Sequence, residues 1–411
     1  MTSFKRLTLT DWRQFDCVDI SLLDQICILT GPNGCGKTTI LNVLGKHFGW
    51  NTHFVAPAEL GYRSSKRLWS DYRKKHDDIF EPEAGQYEVG RIEYDSGAIC
   101  TLSSTRFHST SQYELKYGPL PVVDGLHIPS HAPAISYQPI KEIPTDPRTS
   151  VKQYESYRQL LQLTYGTTQN RPMKNPATVL KQSLISLALM GEGNSHVAPN
   201  YEYARLFDQF QEILRIVLPD NIGFNALQIT PPDVMLETGS GRFALDAMSG
   251  GINAIVVIAW QILMYGADKD SCTVVMDEPE NHLHPSMQRS LLPSLARAFP
   301  TYKFVVATHS PFIVTSSPDA SVYGLVYDDE RRIRSEHINY VDLSSTPDVI
   351  LREILDVPTT LPIWVEEKIR QTIASTTGSS PKEQAAIIYG TLKQMGLADH
   401  LSQFNDGADN K

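Results

Sequence analysis

The chain has 411 residues, 41% hydrophobic and 20% charged, the balance of a globular protein long enough to bury a substantial core. Its 37 Lys and Arg against 46 Asp and Glu give a net charge of −9, which excludes a generic polyanion binder and confines any nucleic-acid contact to a local patch. No apolar run reaches the roughly 20 residues of a membrane helix. The opening MTSFKRLTLTDW lacks a signal-peptide stretch, and five scattered cysteines lack metal or disulfide-framework spacing, so the expected place is the cytoplasm, with no membrane partner.

In chain order, FKRLTL and VDISL read as short strands, and the apolar strand ICILT runs into a glycine-rich loop and a helix from near Thr38. Residues 51–80 are polar and basic, with Arg63, Lys66, Arg67, Arg73, Lys74 and Lys75 interleaved with Tyr62, Trp69 and Tyr72. That mixture suits phosphate contact with aromatic stacking, and it equally suits a solvated helix face; both readings stand. YEVGRIEYDSGAICTLSSTRF and SQYELKYG alternate as an antiparallel meander does, and the proline-rich stretch VVDGLHIPSHAPAISYQPIKEIPTDP reads as strands and loops. From Ser150 to Leu218 the spacing is helical, without the sustained heptads of a long coiled-coil arm. A hairpin, NALQITPPDVMLETGSGRFAL, then leads to MSGG and the long apolar helix INAIVVIAWQILMYGA. Buried strands TVVMDEPE and KFVVATHSP and a last strand around SVYGLVY close the core, before two helical pieces and a polar tail.

The fold class read from this order is α/β: a core of buried strands, an antiparallel β subdomain and a helical lobe. The core is expected over 1–50 and 225–345, a β-rich insertion over 51–148, the helical lobe over 149–224 and a C-terminal helical extension over 346–411.

Gly31 to Thr38 fits GxxxxGK followed by Ser or Thr, so Gly31, Asn33, Gly34, Cys35, Gly36, Lys37, Thr38 and Thr39 are candidate ATP-binding residues. Backbone amides surround the phosphates, Lys37 reaches the β/γ oxygens and Thr38 holds Mg2+. Cys35 has two readings, a tolerated small residue or a thiol activated by the helix N-terminus. TVVM followed by Asp277 and Glu278 is an apolar strand ending in two acids, one for the magnesium shell and one to polarise the attacking water. Ser249, Gly250 and Gly251 open the long apolar helix and offer a hydroxyl, amides and a helix N-terminus to an anion. His309 follows the next apolar strand, where an imidazole can contact the γ-phosphate. Gln138 is either a member of the magnesium and water shell or a loop glutamine facing solvent.

With these motifs in this order, GPNGCGKT, MSGG, VVMDEPENHLHP and THSP, the chain resembles the ABC ATPases of the SMC, Rad50, RecF and OLD group. Within it, the compact ATPase subunits of antiphage systems such as Septu, PARIS and some retron operons look most similar. The resemblance implies a P-loop ABC ATPase head with a RecA-like core, and a homodimer sandwiching ATP, with the Ser249 to Gly251 signature of one subunit capping the nucleotide on Lys37 of its mate. It also implies that Arg13, in Asp-Trp-Arg-Gln-Phe, lies near the nucleotide. The usual LSGGQ is here MSGGI, with Asn253 two residues beyond the second glycine, and a zinc hook and a long arm are lacking. Too few residues follow Tyr340 for the Toprim nuclease of OLD enzymes. The expected function is therefore an ATP-hydrolysing switch subunit controlling a separately encoded effector, a nuclease or toxin. The alternatives are a RecF-type repair ATPase touching DNA through Arg63 to Lys75 and, last, a transporter's nucleotide-binding subunit.

Overall fold

Strand β1 (Phe4–Trp12) buries Phe4, Leu7, Leu9 and Trp12, and β2 (Phe15–Ser21) buries Phe15, Val18 and Ile20, so one face of their antiparallel pair is apolar. In β3 (Ile26–Thr30) all five residues are buried, the pattern of a strand covered on both faces. In this computed structural model the described residues are 2–60, 67–70, 85–106, 108–130, 137, 139–144, 149–166, 175–338, 350, 363–375, 387, 389–390 and 393. They divide into a unit of residues 1–345, treated next, and a unit of residues 346–411, in which α8 (Ile363–Ser375) is helical.

After helix α1 (Lys37–Gly45) come five short strands, β4 (Phe54–Val55), β5 (Ala58–Leu60), β6 (Arg67–Trp69), β9 (Gln112–Tyr113) and β10 (Lys116–Tyr117), around the long hairpin β7 (Gln86–Tyr94) and β8 (Ile99–Thr105). The next elements are β11 (Gly125–Ile128) and helices α2 (Ser150–Gly166), α3 (Pro176–Gly191) and α4 (Tyr201–Val217). A three-stranded meander follows, β12 (Phe224–Thr230), β13 (Asp233–Thr238) and β14 (Gly241–Ala244), one strand more than the hairpin expected. The core ends with α5 (Gly250–Gly266), β15 (Thr273–Asp277), α6 (Pro285–Ala298), β16 (Lys303–Ala307), α7 (Pro311–Val314), β17 (Ser321–Tyr327) and β18 (Ile333–Ile338).

Eleven strands form one sheet in the order β10-β8-β7-β1-β2-β18-β17-β3-β16-β15-β11. Its β3-β16-β15-β11 side is parallel, and its β10-β8-β7-β1-β2 wing is antiparallel. Within 51–148, the stretch expected as a β-rich insertion, the hairpin β7–β8 pairs with the free edge of β1, from Leu7↔Ile92 to Leu9↔Gly90. Strand β11 of the same stretch pairs in parallel with β15, Gly125 opposite Thr273. An edge of β1 facing water would strand its N–H and C=O groups, and the hairpin satisfies them.

The helical lobe follows from its sequence. In α4 the buried residues Tyr203, Leu206, Phe210, Ile213, Leu214 and Val217 recur at helical spacing, and Asn200 caps the helix by accepting from Tyr203 N at 3.2 Å. Asn175 caps α3 through Ala177 N at 3.0 Å, with Pro176 at the first helical position. By contrast α5 is buried nearly all round, because α2 and α4 pack on one side of it and β11 on another. Among the described residues no helix is long and apolar enough to cross a membrane.

Candidate active site

Strands β3, β15, β16 and β17 are parallel neighbours or share β3 as a neighbour, so their carboxyl ends open at one edge of the sheet, where ligands bind in open α/β folds. The loop after β3 turns through Gly31, Gly34 and Gly36 at φ of 140°, 83° and 94°. A Cβ on Gly36 would lie 2.5 Å from both Gln14 Nε2 and Phe15 Cζ, so close packing as well as backbone conformation demands glycine there. Helix α1 then starts at Lys37 without an acidic residue in its first turn, leaving its amide end open to an anion. Asn33 and Thr38 are exposed and Thr39 is half-buried.

Lys37 is 5% exposed; its Nζ donates to the carbonyls of Gly31 (2.9 Å) and Pro32 (3.1 Å) and stands 3.4 Å from His309 Nδ1. Burial pushes its pKa down. Cys35 Sγ is 3.6 Å from the same ammonium, yet the side chain is fully buried and desolvation raises its pKa despite that neighbour. Of its two readings, burial favours the tolerated small residue over the helix-activated thiol.

Asp277 closes β15 at 6% exposure, and Thr38 Oγ1 donates to its Oδ1 at 3.2 Å and Oδ2 at 3.0 Å. Burial, with Glu278 beside it, pushes the Asp277 carboxyl up to about 6 against the Thr38 hydrogen bond. Glu278 adopts φ 47°, a left-handed turn that aims its carboxylate at the site, and its N–H donates to Ala307 O at 2.8 Å. His309 Nε2 lies 3.6 Å from Glu278 Oε1. Burial and the nearby Lys37 push the His309 pKa down, so the ring is neutral at neutral pH.

Three residues that carried no separate role in the sequence reading hold this arrangement. Glu280 Oε1 accepts from Thr308 Oγ1 (2.6 Å) and from His309 N (2.9 Å), stitching the loop after β15 to the loop after β16. Asn281 Nδ2 donates to Glu278 Oε2 at 3.3 Å and to Ser130 O at 3.1 Å. Arg332 bridges Asp11 (2.9 Å), Asp16 (2.7 Å) and the Phe15 carbonyl (2.7 Å), fixing the β1–β2 turn whose Gln14 and Phe15 abut Gly36. The acid and amide that open ENHLHP were a usable signal for the first two, whereas Arg332 gave none.

Ser249 and Gly250 are exposed at the start of α5, and Gly251 is buried where a Cβ would lie 2.8 Å from the His282 carbonyl. Asn253, named with the signature, is 7% exposed, and its Nδ2 donates to Met248 O at 3.3 Å within its own helix start. A cavity of about 280 Å³ between Ser130, Asn175, Met248, Asn253, Glu278 and His282 separates this helix end from the acids. Arg13, at φ 52°, lays its guanidinium over Trp12 (6.0 Å) and Phe54 (5.7 Å), next to the Gln14 that lines the loop. Gln138, Arg63, Lys66, Arg73, Lys74 and Lys75 lie outside the described residues, and Arg67 is placed only as the first residue of β6, opposite Leu60.

The donor set fits magnesium: a hydroxyl and a carboxylate, both hard oxygen ligands, beside a phosphate-sized cradle. Among the described residues no group of three or more His, Cys, Asp or Glu is placed to hold a metal by itself, so such an ion would rely on phosphate oxygens as well.

Two families match the chain. One, described as "AAA domain, putative AbiEii toxin, Type IV TA system", covers residues 195–315, and the other, an AAA domain, covers residues 6–88. The Septu protein PtuA of Bacillus mycoides (strain KBAB4) is 29% identical over 92 residues, 21% of this chain and 13% of that protein. The Retron Vc95 probable ATPase of Vibrio cholerae serotype O1 biovar El Tor is 40% identical over 43 residues, 10% of this chain and 8% of that protein. The Retron Ec83 probable ATPase of Escherichia coli is 47% identical over 38 residues, 9% of this chain and 7% of that protein. The chain thus spans at most 13% of the length of these relatives in the matched stretches. The SMC head domain from Thermotoga maritima superposes with a TM-score of 0.44 and 14% identity, over 82% of this chain and 99% of that one.

Proposed function

We propose that this chain, an ATP-hydrolysing P-loop ATPase of the ABC class related to the Septu and retron ATPases, is a nucleotide-gated dimeric switch. Its closure would control a separate effector protein, a nuclease or toxin, in antiphage defence. The observation that carries the reading is the convergence of Lys37, Thr38, Asp277, Glu278 and His309 at one sheet edge, while Ser249 and Gly250 stay exposed on a different helix end.

In this reading Lys37 and the Gly31 to Gly36 amides bind the triphosphate, with Asn33, Thr39 and Arg13 at its rim. Thr38 and Asp277 would hold Mg2+, which would neutralise phosphate charge. Glu278, oriented by Asn281, takes a proton from the attacking water, and neutral His309 donates a hydrogen bond toward the γ-phosphate. A second copy supplies Ser249 to Gly251 to complete each site, so two ATP molecules join two subunits.

The test is to compare wild type with Glu278→Gln. Loss of the base is expected to slow hydrolysis by about 10²- to 10⁴-fold while ATP binding persists. The variant should then accumulate as an ATP-dependent dimer in light scattering and enrich a specific effector in a pull-down from the native host. A variant that stays monomeric with saturating ATP, or that recovers only DNA removable by nuclease, would sink the switch.

A further inference from the structure

Lys181 sits in the middle of α3, 2% exposed, an unusual place for an ammonium. Its Nζ lies 2.6 Å from Asp246 Oδ2 and 3.0 Å from Asp233 Oδ1. The Asp246 side chain is 3% exposed, and its other oxygen has no hydrogen-bond partner among the described residues. Asp233 begins β13, and Asp246 occupies the short 3-10 turn Leu245–Ala247, three residues ahead of Ser249. The Tyr137 ring covers the same ammonium at 5.3 Å, and Tyr137 OH donates to Asp233 Oδ2 at 3.4 Å. Tyr137 is the immediate sequence neighbour of Gln138, the candidate for the magnesium and water shell.

One buried cation therefore ties together the helical lobe, the three-stranded meander, the turn that delivers the signature and Tyr137. Stability does not account for it, since a desolvated triad of this kind is seldom better than apolar residues of equal volume. Attachment of the lobe to α5 does not require it either, because Trp260 Nε1 donates to Ser183 Oγ at 3.3 Å two residues further along α3. What the triad adds is register: with charges fixed on three elements, the Leu245–Ala247 turn has one position relative to α3.

We infer that Lys181 is a positioning residue for the signature: through Asp246 it sets where Ser249 to Gly251 stand. The inference rests on the proposed switch, in which the signature completes the partner's site. It predicts a split between binding and turnover that a merely structural lysine would not produce.

The experiment uses the full chain with Lys181→Met and Asp246→Asn, each alone and each combined with Glu278→Gln. Expected are a melting temperature near wild type for Asp246→Asn, ATP affinity within about twofold of wild type, and kcat lowered about tenfold or more, the scale of a displaced positioning group. ATP-dependent self-association of the Glu278→Gln form should weaken in step. Should Lys181→Met fail to fold, Asp246→Asn decides, since it keeps the shape and removes only the charge. Unchanged kcat and self-association in a normally melting Asp246→Asn would overturn the proposal, as would loss of ATP binding in parallel with lowered melting. If Glu278→Gln alone never self-associates with ATP, the switch reading fails and Lys181 is judged on the split between ATP affinity and kcat.

Discussion

Replacing Asp277 by Asn is expected to make the nucleotide-free protein more stable at pH 8 while abolishing turnover. Asp277 is 6% exposed, and burial first, then the charge of Glu278, raises its pKa from 3.8 to about 6. At roughly 1.4 kcal/mol per tenfold change in proton affinity, that rise means about 3 kcal/mol spent in holding the carboxylate ionised in the folded state. The sign follows from linkage: below pH 3.8 the group is protonated folded or unfolded, and between 3.8 and about 6 the folded state binds more proton, so stability falls as pH rises. Above about 6 the loss is complete. Asn keeps an acceptor for Thr38 Oγ1 without the charge, so its advantage should grow from near zero at pH 4 to about 1–3 kcal/mol at pH 8. Urea unfolding of both proteins across that range, followed by tryptophan fluorescence, measures it. A variant no more stable at pH 8, or one whose gap to wild type does not move with pH, would refute the reasoning.

Two further substitutions probe the frame of the site. Gly36→Ala places a Cβ 2.5 Å from Gln14 and Phe15 at φ 94° and should cost about 1–3 kcal/mol and most of the ATP affinity. Gly34→Ala, whose Cβ meets only Tyr327 OH at 3.9 Å, should suffer from backbone strain alone; equal effects of the two in calorimetry and nucleotide titration would contradict the packing account. His127 is 3% exposed with both ring nitrogens unpartnered among the described residues, and burial pushes its pKa down to about 4. Its contribution to stability is therefore present above pH 6.5 and lost as pH falls toward 4, and His127→Leu should gain about 1–3 kcal/mol at pH 7 and flatten the acid limb of the unfolding curve. His47, also held near 4 by burial, leaves some acid sensitivity behind, so a completely flat limb would be as contrary as an unchanged one.

What could be read from sequence was what is local. The loop from Gly31 to Thr38, the buried strand before it and the acids after TVVM announce themselves in runs of a few residues. The meander over β7 and β8 shows in its alternation, although its partner β1, some 80 residues earlier, does not. Strand β11 was indistinct because its four residues are all buried and its pairing lies with β15, far along the chain. Strand β18, IRSEHI, was missed because charged residues on an exposed face imitate a loop. The same limit applies within the site: Glu280 and Asn281 act through contacts between two loops, and Arg332 through a turn more than 300 residues away.

The position of β3 in the sheet also sets an order of assembly. The strand that carries the phosphate loop occupies residues 26–30, yet both its neighbours, β16 at 303–307 and β17 at 321–327, are made more than 270 residues later. During synthesis its five buried residues leave the ribosome with neither edge matched, and they remain so until about two thirds of the chain has followed. Sheet formation around the loop must therefore wait for distant segments, which makes it slow compared with the helical lobe, whose contacts are nearby in sequence. The strand that closes one edge of β3 is also the one that leads into His309.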